Sequence, residues 1–193
     1  MNKGFTLVEM LVVIGIIAIL TAASLAGFSN MVKTADRAKA QELVSNTATA
    51  LEVLYQTEGA WPKRLVSAAS SGDGELDANA AIALKDYMSL NVSNDALAGH
   101  DRLGIFDNWG AAVIKARGRS ATTSDRVQSG GTVQDHILHF ALDLDDDGFV
   151  EANVGGESQS IRASAVVWGA GQDGKMGTKD DLYSWSKGRK VKK

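Results

Sequence analysis

The hydrophobic pattern changes character once, near residue 33. From Phe5 to Phe28 the chain is a nearly unbroken apolar run, and Glu9 is the one charged residue between Gly4 and Val32. At ~1.5 Å per helical residue, residues 5–28 reach roughly 36 Å, against a bilayer core of about 30 Å. From Lys33 the pattern turns amphipathic. Ala40, Leu43, Val44, Thr47, Ala48, Leu51, Leu54 and Tyr55 recur at steps of three and four, while Lys33, Asp36, Arg37, Lys39, Gln41, Glu42 and Glu52 fill much of the remainder. No proline interrupts residues 5–58; Gly59 supplies a C-terminal stop and Pro62 follows it. The pattern predicts one helix over 5–58. Its first half is apolar on every side and needs lipid or identical neighbours. Its second half carries one apolar stripe and needs a sheet or other helices to cover it.

Beyond the helix the signals are shorter. Ser67–Gly74 is rich in Ser and Gly and reads as a loop. Leu76–Leu90 has helical spacing through Ala80, Ala81, Leu84 and Met88. Asp107-Asn108-Trp109-Gly110 reads as a turn leading into the apolar run Ala111–Ile114, and Arg117–Gly131 as a polar loop. Ile137–Leu142 and Ala163–Trp168 are strand candidates, with Asp181–Trp185 a short third. The expected fold class is α+β: a long N-terminal helix packed through its second half on a small C-terminal antiparallel β-sheet.

Composition narrows the function. The chain of 193 residues is long enough for one domain with a modest core, and its net charge of −3 gives no pull toward nucleic acid. Without cysteine there is no disulfide, no thiolate chemistry and no Cys-based zinc site. No nucleophile elbow or P-loop is present, and the expectation is a protein that is not an enzyme. Gly169-x-Gly171-x-x-Gly174 fits a dinucleotide fingerprint, but Lys-Met-Gly-Thr-Lys-Asp follows it in place of an amphipathic helix. His136 and His139 would point to opposite sides of a strand, as polar edge residues rather than a metal pair.

The apolar run admits three readings. A secretory signal peptide would use Lys3 as its basic region and Ser24-Leu25-Ala26 as a cleavage site, but it leaves a carboxylate inside the apolar segment. A plain signal anchor explains the length and gives Glu9 no purpose, although an acidic group in a bilayer is costly. The third reading is a short leader, residues 1–4, cut after Gly4. Gly4-Phe5-Thr6-Leu7-Val8-Glu9 resembles the prepilin-peptidase site of type IV pilins and of the pseudopilins of type II secretion. The resemblance implies cleavage between Gly4 and Phe5, N-methylation of Phe5, and Glu9 as the assembly residue. It further implies a transmembrane and polymerisation helix over 5–32 and a periplasmic globular domain over 33–193, whose residues 33–58 continue the helix.

Two acidic loops carry candidate metal chemistry. Asp143-Leu144-Asp145-Asp146-Asp147-Gly148 has Asp at positions 1, 3 and 5 and Gly at 6 of a calcium loop. Position 12 is Val154, so the bidentate glutamate of an EF-hand is missing; the alternative is a solvated acidic turn between strands. The second loop runs from Trp168 to Trp185. Its Gly171-x-Asp173-Gly174, glycine spacer, Asp180-Asp181 and final Trp185 resemble the C-terminal calcium loop of the major pseudopilin of type II secretion. That resemblance makes Asp173, Asp180 and Asp181 the expected calcium ligands, with main-chain carbonyls completing the shell. Oxygen-only donors on a loop suit calcium.

The expected function is therefore a structural subunit that waits in the inner membrane, single-pass with its globular part in the periplasm, and polymerises with itself into a pilus-like filament. The resemblance implies further partners: the prepilin peptidase, other pseudopilins and an inner-membrane assembly platform. The lead reading is protein export by a type II secretion system, mildly favoured over pilins that close a C-terminal loop with a disulfide. The alternative is a type IV pilin for adhesion, motility or DNA uptake, with a filament reaching the cell surface. Rivals from other classes are a membrane-tethered calcium-binding module that forms no polymer and an extracytoplasmic enzyme. The basic tail Lys187–Lys193 reads as a solvated end or a contact for a partner or lipid head groups.

Overall fold

The structure, a computed structural model, describes residues 6–88 and 103–185, without the side chains of residues 22–29. The chain divides into two compact units, Met1–Ala38 and Lys39–Lys193.

Helix α1 spans Leu7–Glu58 and ends where the pattern places its end. Gly59 takes a left-handed φ of 71° and donates its N–H to the Tyr55 carbonyl at 2.9 Å, a glycine C-terminal stop. In the first unit the described apolar side chains of α1 are exposed, Leu7 at 81% and Ile19 at 72%. Among the described residues no helix is long and apolar enough to cross a membrane. The expected span 5–32 also includes Phe5 and the side chains of 22–29, which lie outside the described residues.

In the second unit the predicted stripe is the buried face. Ala40, Leu43, Val44, Ala48, Leu51 and Leu54 belong to one core cluster with Phe140, Leu142, Val167 and Leu182. Thr47 is buried without penalty because its hydroxyl donates to the Leu43 carbonyl at 2.8 Å. Tyr55 departs from the stripe: it is half-buried and stacks on Trp61, with ring centroids 4.5 Å apart.

Helices α2 (Lys63–Ala69), α3 (Ala78–Met88) and α4 (Asn108–Arg117) follow. Two of these correct the sequence reading. Ser67–Ala69 is helical, not loop, because Pro62 opens a short helix that buries Leu65 and Ala69. Asp107 through Gly110 is a helix start, not a turn: the Asp107 side chain accepts from the N–H groups of Trp109 and Gly110, each at 3.0 Å. The predicted second helix is present as α3, and Leu90 lies outside the described residues.

The strands are β1 (Gly74–Glu75), β2 (His139–Leu142), β3 (Val150–Val154), β4 (Glu157–Ile161), β5 (Ala165–Gly169) and β6 (Leu182–Tyr183). Four form a sheet in the order β1-β2-β5-β6, all antiparallel, with Phe140 opposite Val167 and Trp168 opposite Tyr183. Strands β3 and β4 make a separate hairpin across the turn Gly155-Gly156. The fold is thus α+β, an N-terminal helix on a small antiparallel sheet. The hairpin is missing from the sequence reading, although Val150, Ala152 and Val154 alternate inward ahead of a Gly-Gly turn. Among the described residues no helix follows β5, so the glycine fingerprint at Gly169 has no phosphate-binding helix N-terminus there.

Candidate functional site

The chain start of α1 is built by Thr6 and Glu9. The Thr6 N–H and hydroxyl both donate to Glu9 Oε2 at 2.8 Å, and the Glu9 N–H donates back to the Thr6 hydroxyl at 3.3 Å. This is a capping box, and it gives Glu9 a role within its own chain: it satisfies helix N–H groups that have no partner in the preceding turn. The T-x-x-E spacing signals it in the sequence. Glu9 is exposed, as are Leu7, Val8, Met10 and Leu11 around it. Gly4 and Phe5, the expected processing residues, lie outside the described residues.

The loop from Ala170 to Asp181 is organised by its own carboxylates. Asp180 Oδ2 accepts the Asp173 N–H at 3.0 Å, bringing the two ends of the loop together. Asp181 is buried and accepts from the N–H groups of Gly177 and Thr178 at 2.9 and 3.1 Å and from the Tyr183 hydroxyl at 2.6 Å. Asp173 Oδ1 accepts from the Lys175 N–H at 2.9 Å. Burial works against the charged form of Asp180, but the Thr178 hydroxyl and the N–H groups around it outweigh that and hold its carboxyl below the usual range. Burial, then the bond to Asp181, raises the Tyr183 phenol well above its ordinary value.

Gly171 permits the closure. Its φ is +70°, and a Cβ there would lie 2.2 Å from the Asp180 carbonyl oxygen. Trp185 packs edge-on to Trp168 with centroids 6.0 Å apart and to Tyr183 at 4.9 Å, closing the sheet beside the loop. Asp173, Asp180 and Asp181 offer oxygen donors of the type calcium takes, but among the described residues they do not form a group of three carboxylates gathered closely enough to hold a metal ion. Sequence reasoning missed Thr178 and Tyr183 as the groups that orient Asp180 and Asp181.

Asp143, Asp145 and Asp147 are brought together between β2 and β3. One carboxylate oxygen from each lies within 4.8 Å of those of the other two. Asp143 is buried and the other two are exposed.

Of the two histidines, His136 corrects the sequence reading. His136 is not a strand-edge residue. It sits in a short 3-10 turn, fully buried, with Nδ1 2.8 Å from Asp107 Oδ2 and Nε2 2.9 Å from the Gly130 carbonyl. His139 lies at the start of β2, with Nδ1 2.7 Å from Asp73 Oδ1.

Residues 1–25 match the family model described as the prokaryotic N-terminal methylation motif. A fimbrial protein of Neisseria meningitidis serogroup A is 27% identical over 144 residues, covering 67% of this chain and 84% of the relative. The type IV major pilin protein PilE of Neisseria gonorrhoeae is 35% identical over 68 residues, covering 35% of this chain and 41% of the relative. The chain thus carries the N-terminal methylation motif and is similar to type IV pilins and fimbrial proteins over part of its length. The fimbrial protein EcpC of Eikenella corrodens is 36% identical over 61 residues, 32% of this chain and 40% of the relative. The alignments thus span most of one relative and about two fifths of the other two. No solved structure matches the chain significantly. The matched segment contains Gly4, Phe5 and Glu9, and of these Glu9 is the one that the capping box holds.

Proposed function

We propose that this pilin-like chain is a non-enzymatic subunit held in the inner membrane by residues 5–32, processed by a prepilin peptidase, and polymerised with itself through the first half of α1. The single observation that carries this reading is the ridge of exposed apolar side chains from Leu7 to Leu20 with one carboxylate, Glu9, at its start. Apolar surface of that extent is covered by lipid before assembly and by neighbouring helices within a filament. An isolated carboxylate in that setting favours a cationic partner, and the amine freed at Phe5 by cleavage is one.

For the filament's task, our reading is protein export through a type II secretion system, with other pseudopilins and an inner-membrane platform as partners. Its support is the sequence of the C-terminal loop, where Asp173, Asp180 and Asp181 stand at the positions that the resemblance implies as calcium ligands, with Trp185 following them. Calcium bound there would replace carboxylate repulsion with attraction. The pilin and fimbrial names of the relatives favour a second reading, a surface pilus.

Deletion of the gene separates the two. Exoproteins stranded in the periplasm, with surface fibres intact, support export. Loss of surface fibres with normal export supports the pilus, and loss of neither contradicts the filament reading.

A further inference from the structure

We propose that the β2–β3 loop is a calcium site of its own, with Asp143, Asp145 and Asp147 as ligands, separate from the loop at Asp173–Asp181. Convergence of three carboxylates within 4.8 Å would not by itself establish a site, since exposed acidic groups gather without an ion. The deciding observation is the state of Asp143. It is 6% exposed; its Oδ2 accepts the Gly148 N–H at 2.8 Å, and its Oδ1 is fully buried with no hydrogen-bond partner. A buried carboxylate oxygen without a donor is strongly unfavourable. This carboxylate belongs to the cluster formed with Asp145 and Asp147, and a divalent cation among the three would satisfy it.

The rest of the loop is arranged for the same occupant. Gly148 has a φ of +83° at the sixth position, where a wrapping loop turns sharply. Asp147 commits only Oδ1 to the loop, accepting the Phe149 N–H at 2.8 Å. Asp146, the remaining carboxylate of the run, accepts the Tyr55 hydroxyl at 2.5 Å through Oδ1. The carbonyl of Asp143 is taken by the Trp61 indole N–H at 2.8 Å. Tyr55 and Trp61 stack on each other, so the loop is docked on Tyr55 near the end of α1 and on Trp61 just beyond it.

Position 12 falls on Val154, a buried residue of β3, so the shell is completed by water or main-chain carbonyls. Hard oxygen donors at an irregular, partly open site select calcium over magnesium, which demands a smaller octahedral shell. The ion would fasten the β2–β3 loop to the C-terminal end of α1, and Trp61 would report its arrival. This inference does not depend on polymerisation or on the Asp173–Asp181 loop.

The test is calcium uptake by the full-length chain in detergent, measured by equilibrium dialysis, with the tryptophan fluorescence of the chain and of its Trp61→Phe variant followed in parallel to isolate the Trp61 signal. Asp145 and Asp147 are exposed, and asparagine at 147 keeps the acceptor for Phe149, so the double variant Asp145→Asn, Asp147→Asn should keep the wild-type circular dichroism. We expect it to bind one calcium ion fewer per chain than wild type at millimolar calcium, and to lose the part of the calcium-dependent fluorescence change that comes from Trp61. Asp180→Asn should keep that part. Equal uptake by wild type and the double variant would overturn the proposal. So would displacement of this ion by an equal concentration of magnesium.

Discussion

His136 and Asp107 share one proton inside the core. Both side chains are closed off from solvent, and the Gly130 carbonyl can only accept, so His136 Nε2 carries a hydrogen. The Nδ1–Oδ2 bond then requires a further proton on one of the two atoms. Burial disfavours the imidazolium, but the bond to Asp107, its charge, the Gly130 carbonyl and the charge of Asp135 prevail and raise the His136 pKa above its ordinary value. Burial likewise raises the Asp107 carboxyl, against the lowering effects of His136 and the N–H groups of Gly110 and Trp109.

Both shifts have the same sign, so the folded chain holds this proton more tightly than the unfolded chain does. The stabilisation is fully present below the unfolded histidine value of about 6.5 and is lost as pH rises through the folded value. Melting temperature measured against pH should therefore fall on the alkaline side. Asp107→Asn should lower stability by about 3–5 kcal/mol, the usual cost of breaking a buried pair, and flatten that fall. An unchanged alkaline slope in Asp107→Asn would assign it to other groups.

Gly171→Ala should open the C-terminal loop. The added Cβ meets the main chain of Asp180, which cannot yield as a flexible side chain would, and the left-handed φ adds strain of about 1–3 kcal/mol. Urea unfolding should show a lower midpoint. Gly148→Ala is the control, because its φ is also left-handed but nothing lies within 4 Å of its Cβ. The loss at 171 should exceed the loss at 148.

Processing predicts a mature chain beginning at Phe5 with a methylated amine. N-terminal sequencing and intact mass of membrane-extracted protein measure this. A mature chain beginning at Met1 would favour a plain anchor, and one beginning at Gly27 a secretory signal. Gly4→Val should accumulate the uncleaved form.

Periodicity made α1 and its buried stripe legible because one long helix repeats its signal many times. Leu43, Val44, Leu51 and Leu54 are all core residues at the predicted positions. The short elements were less so. Asp107 looks like a turn residue in sequence, and only its bonds to Trp109 and Gly110 make it a cap. His136 is decided by Asp107, twenty-nine residues away, a pairing that no local pattern encodes. The acidic loops stand out in sequence as composition, but the hydrogen bonds that Asp180 and Asp181 make to Asp173, Thr178 and Tyr183 depend on how the loop closes.

Glu9 bears two separable roles, a cap within its own helix and a charge offered to a neighbour. Glu9→Gln distinguishes them, because glutamine at the same position of a capping box still accepts the Thr6 N–H. The direct measurement is filament yield by electron microscopy and shear-fraction recovery, in cells expressing wild type or Glu9→Gln at equal membrane levels. Assembly through the N-terminal helix with Glu9 as its charged contact predicts normal membrane insertion and few or no filaments from Glu9→Gln. Filaments at the wild-type yield from that variant would contradict it.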